Sequence, residues 1–98
     1  MTIPLVIGNW KMNMLASEAC DLARSLVDRL SAVEGVVIAP PFTSLYPVSQ
    51  IIKGSSLGLA GQNFHFESKG AYTGEVSLKM LKDVGCGYAL IGHSERRQ

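Results

Sequence analysis

Three polar segments hold residue types that can do chemistry, and two of them stand where an apolar run ends. The first is Gly8-Asn9-Trp10-Lys11-Met12-Asn13, directly after Leu5-Val6-Ile7. Side chains alternate along a strand, so an extended backbone there puts Asn9 and Lys11 on the same side. A carboxamide beside an ammonium can hold an anionic, oxygen-rich substrate. A turn asparagine beside a surface lysine reads the same way. The second is Gly92-His93-Ser94-Glu95-Arg96-Arg97, after Tyr88-Ala89-Leu90-Ile91. The same alternation puts His93 and Glu95 on one side. Backbone N–H groups of a turn or helix starting behind His93 disfavour its protonation. A neutral imidazole can then donate a hydrogen bond to a carbonyl oxygen that gains negative charge during a reaction. A lone structural histidine flanked by surface charges is the plain alternative. The third is Gly70-Ala71-Tyr72-Thr73-Gly74-Glu75. Its glycines permit a sharp protrusion and Tyr72 supplies contact area, which suits a loop that inserts into a partner. His65 lies in the same long irregular stretch, residues 63–74, without the strand-end placement of His93.

Short apolar runs recur between helical patterns and must position these segments. Leu5-Val6-Ile7, Val36-Val37-Ile38-Ala39, Leu57-Gly58-Leu59-Ala60 and Tyr88-Ala89-Leu90-Ile91 read as strands buried on both faces. Ala19, Leu22, Ala23, Leu26, Val27 and Leu30 recur at helical spacing, with Ser17 as the expected cap and Gly35 as the expected stop. A second helix places Leu45, Val48, Ile51 and Ile52 on one face, with Pro47 expected near its start. A third is expected over residues 75–83, closing at Gly85. The order β-α-β-α-β-α-β means parallel strands joined by right-handed crossovers. A doubly wound sheet and a piece of a (β/α)8 barrel both fit, and both carry chemistry at the carboxyl ends of their strands.

Composition narrows the classes. The chain has 98 residues, enough for one modest core, and a net charge of +1 gives no reason to expect nucleic acid or an anionic membrane as partner. No apolar stretch has the length of a membrane span, and the N-terminus has no signal-peptide pattern. Cys20 and Cys86 form no C-x-x-C pair, so no metal site is expected, and they fit a reducing, cytoplasmic compartment. Nucleotide-binding glycine motifs are absent.

Together and in this order, the three polar segments resemble the signatures of the triosephosphate isomerase family. Gly61-Gln62-Asn63 is a further match, and the resemblance runs over essentially the whole chain. It implies a (β/α)8 barrel of which residues 1–98 supply about the first four βα units, a half barrel truncated after the fourth strand. The implied activity is the cofactor-free interconversion of dihydroxyacetone phosphate and D-glyceraldehyde 3-phosphate in glycolysis and gluconeogenesis, through an enediolate. By resemblance, Lys11 and His93 are catalytic, the first as electrostatic partner of the substrate anion and the second as neutral electrophile at the carbonyl. Asn9 binds substrate beside Lys11, and Glu95 orients Lys11. Thr73 crosses a homodimer interface to support the partner's site, on a dimer loop of Gly70, Tyr72, Thr73, Gly74 and Glu75; Glu75 and Arg96 resemble interface and supporting charges. The family's base is a glutamate beyond the sixth strand, in a segment like A-Y-E-P-x-W-A-I-G-T-G. Neither it nor the later phosphate-gripping loops occur in the 98 residues, which by themselves are expected to be inactive. A non-catalytic half-barrel assembly module and another phosphosugar-binding barrel are the competing readings.

Overall fold

In a computed structural model, which describes residues 5–67 and 69–90, four short strands alternate with three helices. These are β1 (Val6–Asn9), α1 (Ala16–Arg29), β2 (Val36–Ala39), α2 (Phe42–Ile52), β3 (Gly58–Gly61), α3 (Leu78–Asp83) and β4 (Tyr88–Ala89). The strands form one parallel sheet in the order β1-β2-β3-β4. Asn9 lies level with Ala39, Ile38 with Leu59, and Gly61 with Ala89. A strand order that never reverses separates this sheet from a doubly wound one, in which order reverses at a switch point. It is the arrangement of a barrel wall.

The main core lies between the sheet and the helices. Ile38 and Leu59 point into it and meet Ala19 and Ala23 of α1, Leu45, Val48 and Ile52 of α2, and Leu81 and Cys86 around α3. Ala19 and Ala23 are wholly buried, and their small side chains let α1 lie close to its neighbours. The opposite sheet face carries Val37, Ala39 and Ala60, with Leu90 packed against them.

Local chemistry corrects several expectations. α1 is capped at Leu15, not Ser17: the backbone is extended at Leu15, and the Glu18 carboxylate reaches back to accept the Leu15 N–H at 2.9 Å. Gly35 does not stop α1, which ends at Arg29; with φ 82° it forms the turn into β2, where its carbonyl accepts the Val6 N–H. Pro47 sits inside α2 rather than near its start. The lost ladder bond is tolerated because Leu45 and Val48 on either side are buried and anchor that turn. α3 begins only after Ser77, whose Oγ accepts the Met80 N–H at 3.2 Å, and Gly85, at φ 100°, follows its end. β2 and β3 are buried as expected, but β1 is not: Leu5, Val6 and Ile7 are exposed because β1 is an edge strand paired only with β2 among the described residues.

Two predictions follow from this packing. A Cβ built on Gly61 would lie 2.6 Å from Cδ1 of the buried Leu81, so Gly61→Ala should destabilise the fold. The expected cost is about 1–3 kcal/mol, read as a lower urea midpoint; an unchanged midpoint would show that Leu81 has room to turn away. Burial also pushes the Cys86 thiol from 9.0 to about 11. The unfolded thiol therefore ionises first, so stability should fall as pH rises from 9 towards 11, and Cys86→Ala should flatten that limb of the profile.

Candidate active site

Parallel strands end on one rim, and there β1, β2 and β3 hand over to their loops. β1 stops at Asn9, so strand alternation does not carry through to Lys11 as expected. A turn places the lysine instead. The Asn9 side-chain oxygen accepts the Lys11 N–H at 2.9 Å, the two-residue bond that asparagine favours in turns. The backbone turns through positive φ at Lys11, 54°, and again at Met14, 75°. The Trp10 N–H donates to the Ala39 carbonyl at 3.0 Å, and the Asn13 amide donates to the Trp10 carbonyl at 2.8 Å.

Gln62 closes this arrangement. It follows β3 directly, and its Nε2 donates to two carbonyls, that of Lys11 at 2.8 Å and that of Ala39 at 2.8 Å. One amide group therefore ties the loop after β1 to the end of β2 from the end of β3. In the sequence, Gly61-Gln62-Asn63 is a family match that by itself assigns Gln62 no role. The available signal was its position, a carboxamide one step past a buried strand on the rim that carries Asn9.

The long loop folds on itself next to this rim. Gly70 and Gly74 have φ of 134° and 85°, and the Glu75 N–H donates to the Tyr72 carbonyl at 2.9 Å. The Tyr72 ring lies against the His65 ring, centroids 4.2 Å apart, and comes so close to Gly70 that a side chain there would strike it at 2.9 Å. His65 is itself held in the loop: its Nδ1 accepts the Glu67 N–H and its own N–H donates to Val76. Tyr72, Thr73 and Glu75 remain exposed on this loop. A recess of about 230 Å³ separates it from the start of α2, with Gln62, Asn63 and Glu75 facing Phe42 and Leu45. A larger cleft of about 450 Å³ opens where β3 and β4 begin, at the opposite end from Asn9. In barrels that end serves stability rather than chemistry. His93, Glu95 and Arg96 lie outside the described residues. Among the described residues no group of His, Cys, Asp or Glu is arranged to hold a metal ion.

The Gln62 bridge makes a direct prediction. Gln62→Ala removes the Gln62 donor from the Lys11 carbonyl and one of two donors from the Ala39 carbonyl, which keeps the Trp10 N–H, and Gln62→Glu sets a carboxylate beside both. Either change should cost about 1–3 kcal/mol and speed amide exchange at Trp10 and Lys11. Exchange unaltered in both variants would show that the Asn9 turn holds itself.

The family model described as triosephosphate isomerase matches residues 4–98. The triosephosphate isomerase of Carboxydothermus hydrogenoformans is 50% identical over 99 residues, covering 99% of this chain and 39% of the relative. That of Dehalococcoides mccartyi strain CBDB1 is 52% identical over 95 residues, covering 95% and 37%. The crystal structure of the Bartonella henselae triosephosphate isomerase matches with a TM-score of 0.90 at 40% identity, over 97% of this chain and 40% of that one. The chain thus spans about 40% of the length of these relatives. With four parallel strands in barrel order, a rim built on Asn9, Lys11 and Gln62, and a match along nearly all its residues, the chain belongs to the triosephosphate isomerase family and forms part of that family's barrel.

Proposed function

We propose that residues 1–98 supply about the first four βα units, through the fourth strand, of a single barrel domain that interconverts dihydroxyacetone phosphate and D-glyceraldehyde 3-phosphate. The observation that carries this reading is the cation-bearing turn at the end of β1, fixed by Asn9 from within and by Gln62 from across the sheet, in a chain of this family. Pre-set charge is worth most where negative charge develops, because the site does not reorganise during the reaction. A base removes the proton beside the substrate carbonyl, the electron pair moves to the carbonyl oxygen, and an enediolate forms. Reprotonation at the neighbouring carbon completes the exchange.

In this reading the Lys11 ammonium stabilises the anionic substrate and the enediolate, and Asn9 contacts substrate beside it. Neutral His93 donates to the oxygen that becomes negative, and Glu95 orients Lys11. The base and the phosphate-binding loops come from barrel units beyond these 98 residues, so this polypeptide alone is inactive. The intact protein is a cytoplasmic homodimer in which the loop of Gly70, Tyr72, Thr73, Gly74 and Glu75 enters the partner, with Thr73 supporting the partner's site. No helix among the described residues is long and apolar enough to cross a membrane.

In a full-length enzyme carrying this segment, Lys11→Met should lower kcat/KM by about 100-fold or more with the fold intact. Near-normal turnover in that variant would remove the lysine from the mechanism. The 98-residue polypeptide should show no isomerisation. Activity in the purified short chain that disappears on His93→Gln would overturn the assignment of the base to the later units.

A further inference from the structure

Gln62 stands between two carbonyls that differ in kind. The Ala39 carbonyl closes β2, and Ala39 is wholly buried. The Lys11 carbonyl lies in an exposed turn whose backbone is strained, at φ 54°. Nε2 of Gln62 donates to both, at 2.8 Å each. One hydrogen of the amide is thus fixed on the sheet, and the other holds the turn. We infer that Gln62 is a positioning residue for the isomerisation, one that sets the backbone from which the Lys11 ammonium reaches the substrate. The inference rests on the role proposed for Lys11 and adds to it a residue supplied from the end of β3.

The two hydrogen bonds at Lys11 act on different peptide groups. The Lys11 N–H, bonded to the Asn9 side-chain oxygen at 2.9 Å, belongs to the peptide before the Lys11 Cα. The Lys11 carbonyl, bonded to Gln62, belongs to the peptide after it. Asn9 and Gln62 therefore clamp both peptides, fix φ and ψ together, and so fix the direction of the Cα–Cβ bond. Losing the Gln62 donor removes the hold on the second peptide. A non-glycine residue at positive φ then gains by relaxing, and the Cα–Cβ bond swings as it does. The ammonium sits at the far end of a long stem, where a small swing at the root becomes a large displacement. A displacement of about 1 Å in catalytic geometry can cost roughly 100-fold in rate.

The chemistry of the two contacts selects glutamine. Both partners are acceptors, so the bridging nitrogen must carry two hydrogens, as a primary amide does. An ionised glutamate carries none. Lysine or arginine could donate twice but would add a second cation to the rim that carries Lys11, where like charges repel. Asparagine is one methylene shorter and from the same backbone position gives up at least one of the two bonds. The anchor is itself well held: the Ala39 carbonyl also accepts the Trp10 N–H at 3.0 Å. β2 thus holds the loop after β1 twice, directly at Trp10 and through Gln62 at Lys11.

The test is steady-state kinetics on a full-length enzyme carrying this segment, with Gln62→Met and Lys11→Met made singly and together. Methionine fills the space of glutamine without its donors, so Gln62→Met removes the bridge and keeps the packing. It should lower kcat/KM by about 10-fold while the circular dichroism spectrum stays that of the folded wild type. In the Lys11→Met background the same change should cost less than about twofold, because the residue that Gln62 positions is already gone. A purely structural role would lower activity by the same factor in both backgrounds, and that result would overturn the inference. So would a Gln62→Met enzyme with wild-type kcat/KM. Either of these alongside a severe Lys11→Met defect refutes the role of Gln62 alone and leaves the proposed function standing. Near-normal turnover of Lys11→Met refutes the role of the lysine and this inference with it.

Discussion

Parallel pairing is the constraint from which the rest of this structure follows. Neighbouring parallel strands cannot be joined by a hairpin, so each needs a crossover, and here every crossover contains a helix. The crossovers return the chain to the same starting end, and all the carboxyl ends collect on one rim. Register then decides which residues meet. Because Asn9 is level with Ala39, the Trp10 N–H that follows reaches the Ala39 carbonyl. Gln62, next after β3, reaches that same carbonyl and the Lys11 carbonyl beyond it. Residues far apart in sequence become hydrogen-bonded neighbours as a corollary of the strand ladder.

The rim also holds the backbone in a conformation that costs free energy. A non-glycine residue in the left-handed region costs about 1–2 kcal/mol, and Lys11 and Met14 both have positive φ. Glycine would turn there without strain but would bring no cation. The hydrogen bonds from Lys11 to Asn9 and from Gln62 to the Lys11 carbonyl offset part of the cost, each at roughly 1 kcal/mol. The turn is therefore over-determined from two sides. That is the condition under which strained backbone persists at functional positions.

The sequence was most legible where one force dominates. The Val36–Ala39 run reads as a buried strand because it is short, β-branched and stopped by two prolines, and in β2 Val37, Ile38 and Ala39 are buried with Val36 half-buried. The helical spacing in α1 marked Ala19 and Ala23, which are wholly buried, and Leu26, Val27 and Leu30, which pack against the core, whereas Leu22 of the same pattern is exposed. Legibility failed where two signals compete. Ser17 and Leu15 both precede the first buried turn, and the cap is decided by the reach of Glu18 to the Leu15 N–H, which no composition rule ranks. Pro47 argued against mid-helix placement, but the burial of Leu45 and Val48 outweighed it. β1 looked fully buried because an apolar run does not reveal whether its strand has one neighbour or two. Lys11 lies just past the end of β1, where alternation stops at Asn9 and a turn takes over, which the apolar run alone does not reveal. Gln62 escaped assignment because its partners are backbone carbonyls, which leave no trace in the sequence.

The two faces of the sheet divide the work of the fold unevenly. The helix-facing side carries the large, interlocking residues: Ile38, Leu59, Leu45, Ile52 and Leu81. That layer contains most of the buried apolar residues and needs only α1, α2 and α3 to complete it. The other face is built from small groups, with Val37, Ala39 and Ala60 fully buried and Gly58 between them. The Tyr88 ring lies over Gly58, close enough that a Cβ there would meet it at 3.1 Å and meet Val37 at 3.2 Å. Small residues under one large ring suit a layered barrel interior, in which each wall accommodates side chains from the others. The principal core therefore lies on the helix side of the sheet. The interior face and the rim are then left to be finished by whatever closes the barrel.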